Sequence, residues 1–194
     1  MSTATRDMSS FKNYCLERFD ARRFGPLTLL LALAAKGLTQ DSVVFRQSLA
    51  LDLLLLILLL VQFRLLDDLC DVPSDRLTHP HRVLCRAQSL RTFWIWLCAL
   101  ALCTLGLLVW FAPWLSICLY GALSLGLGLW YAARHRVPHL LTRRLIPLLK
   151  YPLFGLIAAS LTRRPIHFAR GFLISTLVFL AMAAYEILHD RRGL

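Results

Sequence analysis

The run LDLLLLILLLVQFRLL, residues 51–66, limits this chain more than any other feature. With the residues just before it, it reaches the roughly 20 mostly apolar residues that a helix needs to cross a bilayer. Five further runs resemble it, at 24–38, 93–112, 114–133, 145–161 and 171–188. Lipid offers no hydrogen-bond partner to backbone N–H and C=O groups, so spans of this kind must be helices. The expected fold is therefore all-α, a polytopic membrane helical bundle of about six transmembrane helices. Trp94, Trp96, Trp110, Trp114, Trp130 and Tyr131 lie near the ends of the runs, as interfacial aromatics do. Pro113 marks a tight turn between the third and fourth. Lys36 weakens the first run, and Pro147, Lys150 and Pro152 interrupt the fifth.

Composition agrees: 58% of the 194 residues are hydrophobic, against about half in an ordinary globular domain. The 22 Lys and Arg outnumber the 11 Asp and Glu. In a soluble chain that excess would suggest nucleic acid. Here the basic residues sit in loops between apolar runs, so the expected partner is membrane lipid and not nucleic acid. With the N-terminus inside, sixteen basic residues fall on the cytoplasmic side and five outside, which favours that orientation. The loop TRRPIHFAR runs against the rule. Residues 1–23 are polar, with no compact apolar core, and are not expected to be a cleavable signal peptide. They read as a cytoplasmic segment in which SSFKNYCLERF forms an interfacial amphipathic helix, followed by one membrane domain over 24–194. None of the six cysteines forms a CxxC pair, so neither a disulfide framework nor a zinc site is expected. Cys98, Cys103 and Cys118, inside apolar runs, read as packing residues.

Directly after the second run comes RLLDDLCDVPSDRLTHPHRVL. Asp67, Asp68, Asp71 and Asp75 follow helical spacing and share one stripe. Pro73 predicts a kink near Cys70, or a new segment beginning at Asp75. Crowded carboxylates repel unless a cation neutralises them. Hard oxygen donors suit Mg²⁺, which takes one or two carboxylates together with phosphate oxygens. DDLCD is also a DDxxD pattern, an arrangement that holds prenyl diphosphates through magnesium. A charge run past a membrane helix is more usually a solvated loop, but three features favour chemistry. Arg76, Arg82 and Arg86, with His79 and His81 in the same loop, supply donors for phosphate. A second acidic pair, Glu186 and Asp190, stands at i, i+4 near the far end. Between Asp71 and Asp190 the chain crosses the membrane four times, so both groups are expected on one face. Lys150 lies inside an apolar run, where a charge costs about 2.5–3.5 kcal/mol, and so reads as functional rather than as a snorkelling side chain. Lys36 and Asp52 are expected to pair or to face the bundle interior.

Residue by residue, DDLCDVPSDRLTHPHRVL resembles the first signature of the UbiA-type membrane prenyltransferase superfamily, N-D-x-x-D-x-x-x-D followed by Arg and a His-Pro-x-Arg segment. Asp68, Asp71 and Asp75 take the aspartates, and Asp67 stands where Asn is usual. Arg76, His79, Pro80 and Arg82 match the following run. Glu186 to Asp190 resembles the second signature, D-x-x-x-D, with Glu for the first Asp. Lys150 in LLKYPLF resembles the basic residue of the family's fifth helix. The resemblance implies a Mg²⁺-dependent transfer of a prenyl group from a prenyl diphosphate to a lipophilic or aromatic acceptor within the membrane. It assigns Asp68, Asp71, Asp75, Glu186 and Asp190 to the metal, Arg64, Arg76, Arg82 and Lys150 to the diphosphate, and Asp68, Asp71 and Lys150 to the reaction. Such proteins reside in membranes, here expected to be a bacterial inner membrane with the motifs facing the cytoplasm. Family members have about nine spans. A second subunit or a homo-oligomer is expected to supply the remainder, unless the chain is a non-catalytic, half-length relative that binds isoprenoid or a partner subunit.

Overall fold

The computed structural model describes residues 3–19, 21–39, 47–137, 145–161 and 168–190; at 3–10, 21–23, 39, 47, 48, 168 and 186–190 the description is of the backbone alone. Among the described residues there is no strand. The helices are α1 (Thr3–Arg18), α2 (Ala21–Thr39), α3 (Gln47–Thr78), α4 (Val83–Arg86), α5 (Arg91–Phe111), α6 (Trp114–Ala133), α7 (Lys150–Ser160) and α8 (Phe168–Asp190). Single 3₁₀ turns occupy Arg134–Arg136 and Ile146–Leu149.

Three helical segments, Leu49–Thr78, Arg91–Phe111 and Trp114–Arg136, are long and apolar enough to cross a membrane, which marks the chain as a membrane protein. The apolar windows of the last two are only 22% buried within the protein. Leu102, Val109, Trp110, Leu125 and Leu129 stand exposed along them, an outward apolar surface that water would penalise and lipid would not. The remaining apolar runs form the shorter helical segments Phe24–Leu38, Ile146–Ser160 and Ala169–Tyr185. Prolines explain the middle one. Pro147 sits in the 3₁₀ turn and Pro152 in the first turn of α7, so the run expected at 145–161 divides into a turn and an 11-residue helix.

Pro73 does not divide α3, so of the two outcomes its sequence position predicts, a new segment at Asp75 does not occur. The helix is assigned without interruption from Gln47 to Thr78. Pro73 is exposed, and the carbonyl its missing N–H would have bonded is that of Leu69, one turn back. The last turn is closed by the Thr78 hydroxyl donating to Ser74 O (3.3 Å) and the His79 N–H donating to Asp75 O (2.6 Å). Cys98, Cys103 and Cys118 are exposed and do not pack in the interior. Helices as bare of protein as α5 and α6 bury only one stripe, and these thiols lie off it.

The chain divides into two compact units, one built from Met1–Leu27 and Ile57–Leu105, the other from Thr28–Leu56 and Gly106–Leu194. The core of the first gathers Tyr14, Leu65, Leu69, Val72, Leu84, Phe93 and Leu97. Leu65, Leu69 and Val72 have the i, i+4, i+7 spacing of one helix face. Tyr14 is 1% exposed, so α1 is packed into this core rather than resting wholly on a surface. Phe11 stacks on Trp96 (centroids 4.5 Å apart), and Phe93 meets the Tyr14 ring edge-on at 5.9 Å. Thr104, also buried in this unit, hydrogen-bonds Gln62 Oε1 at 3.1 Å.

In the second unit α7 packs against both α6 and α8. Its Pro152, Phe154, Gly155 and Ile157 to Ser160 are all buried, as expected of a helix apolar on every side. Gly155, Ala158, Ala159 and Ser160 are small enough to admit neighbouring backbones closely. The Ser160 hydroxyl is hydrogen-bonded to that of Ser116 on α6. Lys36 of α2 and Asp52 of α3 do pair, at 2.7 Å and almost wholly buried.

Candidate functional site: the acidic stripe of α3

An α-helix turns about 100° per residue, so Asp67, Asp71, Asp75 and Asp68 fall in that order within an arc of about 100°. The core-facing residues Leu65, Leu69 and Val72 occupy the adjoining arc. Asp68 is nearest to it and is buried; Asp67, Asp71 and Asp75 are half-buried. The stripe expected from spacing is present, but its members differ in depth.

Asp68 is held on both oxygens. The Tyr14 hydroxyl donates to Oδ2 at 2.9 Å, and Arg18 Nη2 donates to Oδ1 at 2.8 Å. Arg64 Nε lies 3.4 Å from Oδ2, one turn back along the same helix. Asp75 accepts from Arg82 Nη1, and Arg18 Nη2 lies 3.9 Å from its Oδ2. One nitrogen of Arg18 therefore stands between two carboxylates. A further tie comes from Glu17, whose carboxylate accepts the Val83 N–H at 2.9 Å. Through Tyr14, Glu17 and Arg18, helix α1 is fastened to the acidic end of α3 and to the loop beyond it.

That loop turns back on itself. The Arg82 N–H donates to His79 O (3.1 Å), which brings the Arg82 guanidinium round to Asp75. Arg76, His79 and His81 are exposed, the two imidazoles edge-to-face with centroids 5.9 Å apart. Burial, reinforced by the Asp68 charge and by the hydrogen bond to it, pushes the Tyr14 phenol above its ordinary range, so it remains a donor. Burial also raises the Cys15 thiol.

Of the residues singled out in the sequence, the structure brings Arg64, Asp68, Asp75 and Arg82 together, with Asp71 on the same arc. Lys150 lies in the other unit, at the start of α7. It is 4% exposed, with its amine 5.4 Å from the centroid of the Tyr151 ring, and so it does not snorkel outward. Glu186 and Asp190 lie on the last turns of α8. Their side chains, and the expected meeting of the two acidic groups, fall outside the described residues. Sequence reasoning missed Tyr14, Glu17 and Arg18. The i, i+4 spacing of Tyr14 and Arg18 was the available signal, because it puts both on one face of α1.

Among the described residues no three His, Cys, Asp or Glu side chains converge as a metal cage. Magnesium needs no such cage, since it takes one or two carboxylates and completes its shell with water and phosphate. Arg18 bears on the fit: its positive nitrogen lies 2.8 Å from Asp68 Oδ1 and 3.9 Å from Asp75 Oδ2, so these carboxylates already draw a cationic group to them. The hard oxygen donors present suit magnesium. No family model, curated protein or solved structure matches the chain.

Proposed function

We propose that the chain is a Mg²⁺-dependent membrane prenyltransferase of UbiA type, moving a prenyl group from a prenyl diphosphate to a lipophilic or aromatic acceptor. The observation that carries this reading is the joint placement of carboxylates and guanidiniums at the end of a membrane-length helix. Asp68, Asp71 and Asp75 share one arc, and Arg18, Arg64 and Arg82 are drawn to it. Carboxylates of a kind that suits a metal and guanidiniums of a kind that suits diphosphate thus stand side by side. Asp68, Asp71 and Asp75 would hold the metal, and Arg64, Arg76 and Arg82 would hold the diphosphate. Roles for Lys150, Glu186 and Asp190 rest on the resemblance alone. When bound, magnesium draws negative charge from the leaving diphosphate. The arginines bind and orient the phosphate oxygens through charge-assisted bonds. Apolar side chains around such a site keep water from intercepting the prenyl group.

The reading carries six spans with the N-terminus in the cytoplasm, in a bacterial inner membrane, and association with a second subunit or with further copies of the chain. Prenyl transfer from a labelled diphosphate donor by purified protein tests it. Turnover in the wild type and its loss in Asp71→Ala are expected; equal turnover in both removes the assignment. The arginine pairing of Asp68 and Asp75 also favours a second reading, a non-catalytic UbiA-like subunit whose stripe is permanently neutralised. That protein would bind no divalent cation at the stripe, with or without diphosphate.

A further inference from the structure

The position of Arg18 has a consequence for how ligands enter the stripe. Its Nη2 lies 2.8 Å from Asp68 Oδ1 and 3.9 Å from Asp75 Oδ2, on carboxylates two helical turns apart. The guanidinium comes from α1, a separate element, and its side chain is 14% exposed. Asp68 is also met by Arg64 and Asp75 by Arg82. Three guanidiniums therefore approach Asp68 and Asp75.

A divalent cation arriving alone would have to displace Arg18 from Asp68 and Asp75, and taking a part-buried guanidinium away from its carboxylates is costly. A diphosphate arriving alone would attract the guanidiniums and strand the carboxylates. Arriving together, they allow every charge to keep a partner. The carboxylates turn to the cation, and the guanidiniums turn to phosphate oxygens, whose geometry they match in bidentate fashion.

Resting on the prenyl diphosphate reading above, we propose that Arg18 is the resident counter-ion of the site: it neutralises Asp68 and Asp75 at rest, and moves to the phosphate oxygens when cation and diphosphate bind together. Arg18 is thus a positioning residue at rest and a diphosphate ligand in the complex. Binding of the two ligands is reciprocally coupled.

Titration of the full-length protein in detergent with Mn²⁺, followed by electron paramagnetic resonance with and without inorganic diphosphate, tests this directly. In the wild type, Mn²⁺ alone binds weakly, and diphosphate tightens it by about tenfold or more. In Arg18→Ala, Mn²⁺ alone binds about tenfold tighter than in the wild type, and the effect of diphosphate shrinks. Arg18→Lys, which keeps the charge, stays close to the wild type in Mn²⁺ affinity. Equal affinity of wild type and Arg18→Ala for Mn²⁺ alone overturns the role of Arg18 but leaves the site standing. Absence of Mn²⁺ binding with diphosphate in every variant removes the site, and the prenyl diphosphate reading with it. Tyr14→Phe loosens the hold of α1 on Asp68 without touching Arg18. If it raises Mn²⁺ affinity as much as Arg18→Ala does, undocking of the helix is the cause and the proposal falls.

Discussion

Tyr14 donates its phenolic hydrogen to Asp68 from within the core of the first unit, and this one bond links packing to charge. Its folded pKa lies above the ordinary phenol value of about 10. The folded protein thus keeps a proton that the unfolded chain releases above that value, so the stabilisation is complete below about pH 10 and is lost as pH rises further. Tyr14→Phe should cost about 1–3 kcal/mol near neutrality, and its deficit should narrow between pH 9 and pH 11, read by thermal unfolding in detergent. Lys36 and Asp52 carry a second prediction. Asp52→Leu strands a buried lysine and should destabilise by about 3–5 kcal/mol, whereas adding Lys36→Met should restore most of the loss. Unfolding of the two variants in detergent distinguishes the outcomes. This pair was legible in the sequence because opposite charges stood alone inside apolar runs. Tyr14 and Arg18 were not, because FKNYCLERF reads equally well as a helix lying on a membrane surface. Only the tertiary position of α1 shows what its polar side chains hold.

Among the helices, α3 combines two tasks on one continuous element. Its apolar part is long enough to cross a bilayer, and its last three turns carry the aspartates and Pro73. Helical spacing alone revealed the stripe. It gave no ranking by depth, since that depends on where Leu65, Leu69 and Val72 bury their face. A new segment at Asp75 did not form: Pro73 removes one backbone bond, and the helix continues through it. In the second unit, α2 and α8 approach at Gly37, where an added Cβ would stand 3.1 Å from Ile174 Cδ1. The end of a flexible side chain can yield a few tenths of an ångström, so Gly37→Ala should be tolerated. Gly37→Leu should overpack the contact and cost about 1–3 kcal/mol. Thermal melts of the two variants, side by side, check the difference.

The membrane character of the whole molecule was plain from hydropathy and basic residues, because lipid imposes length and backbone satisfaction on any segment crossing it. The number of long helices was less plain. Proline and charge shorten some apolar runs, and hydropathy does not show which of them are sheltered by neighbours, as α7 is. Under the proposed six-span arrangement both termini face the cytoplasm. Alkaline phosphatase fused at the C-terminus should then be inactive, while a fluorescent protein fused there should glow in living bacteria; the opposite pattern reverses the orientation.

The length of α3 has a further effect. Leu49–Thr78 is 30 residues, or about 45 Å of helix, against a hydrocarbon layer of about 30 Å. A helix with that excess must tilt or project, and its acidic end becomes a gauge of bilayer thickness. Thin membranes would leave the carboxylates among lipid headgroups and water, whereas thick ones would draw them toward the oily layer. Under the proposed function, Mn²⁺ affinity measured in vesicles of increasing acyl-chain length should fall as the bilayer thickens, and lipid composition would set how readily the proposed site fills.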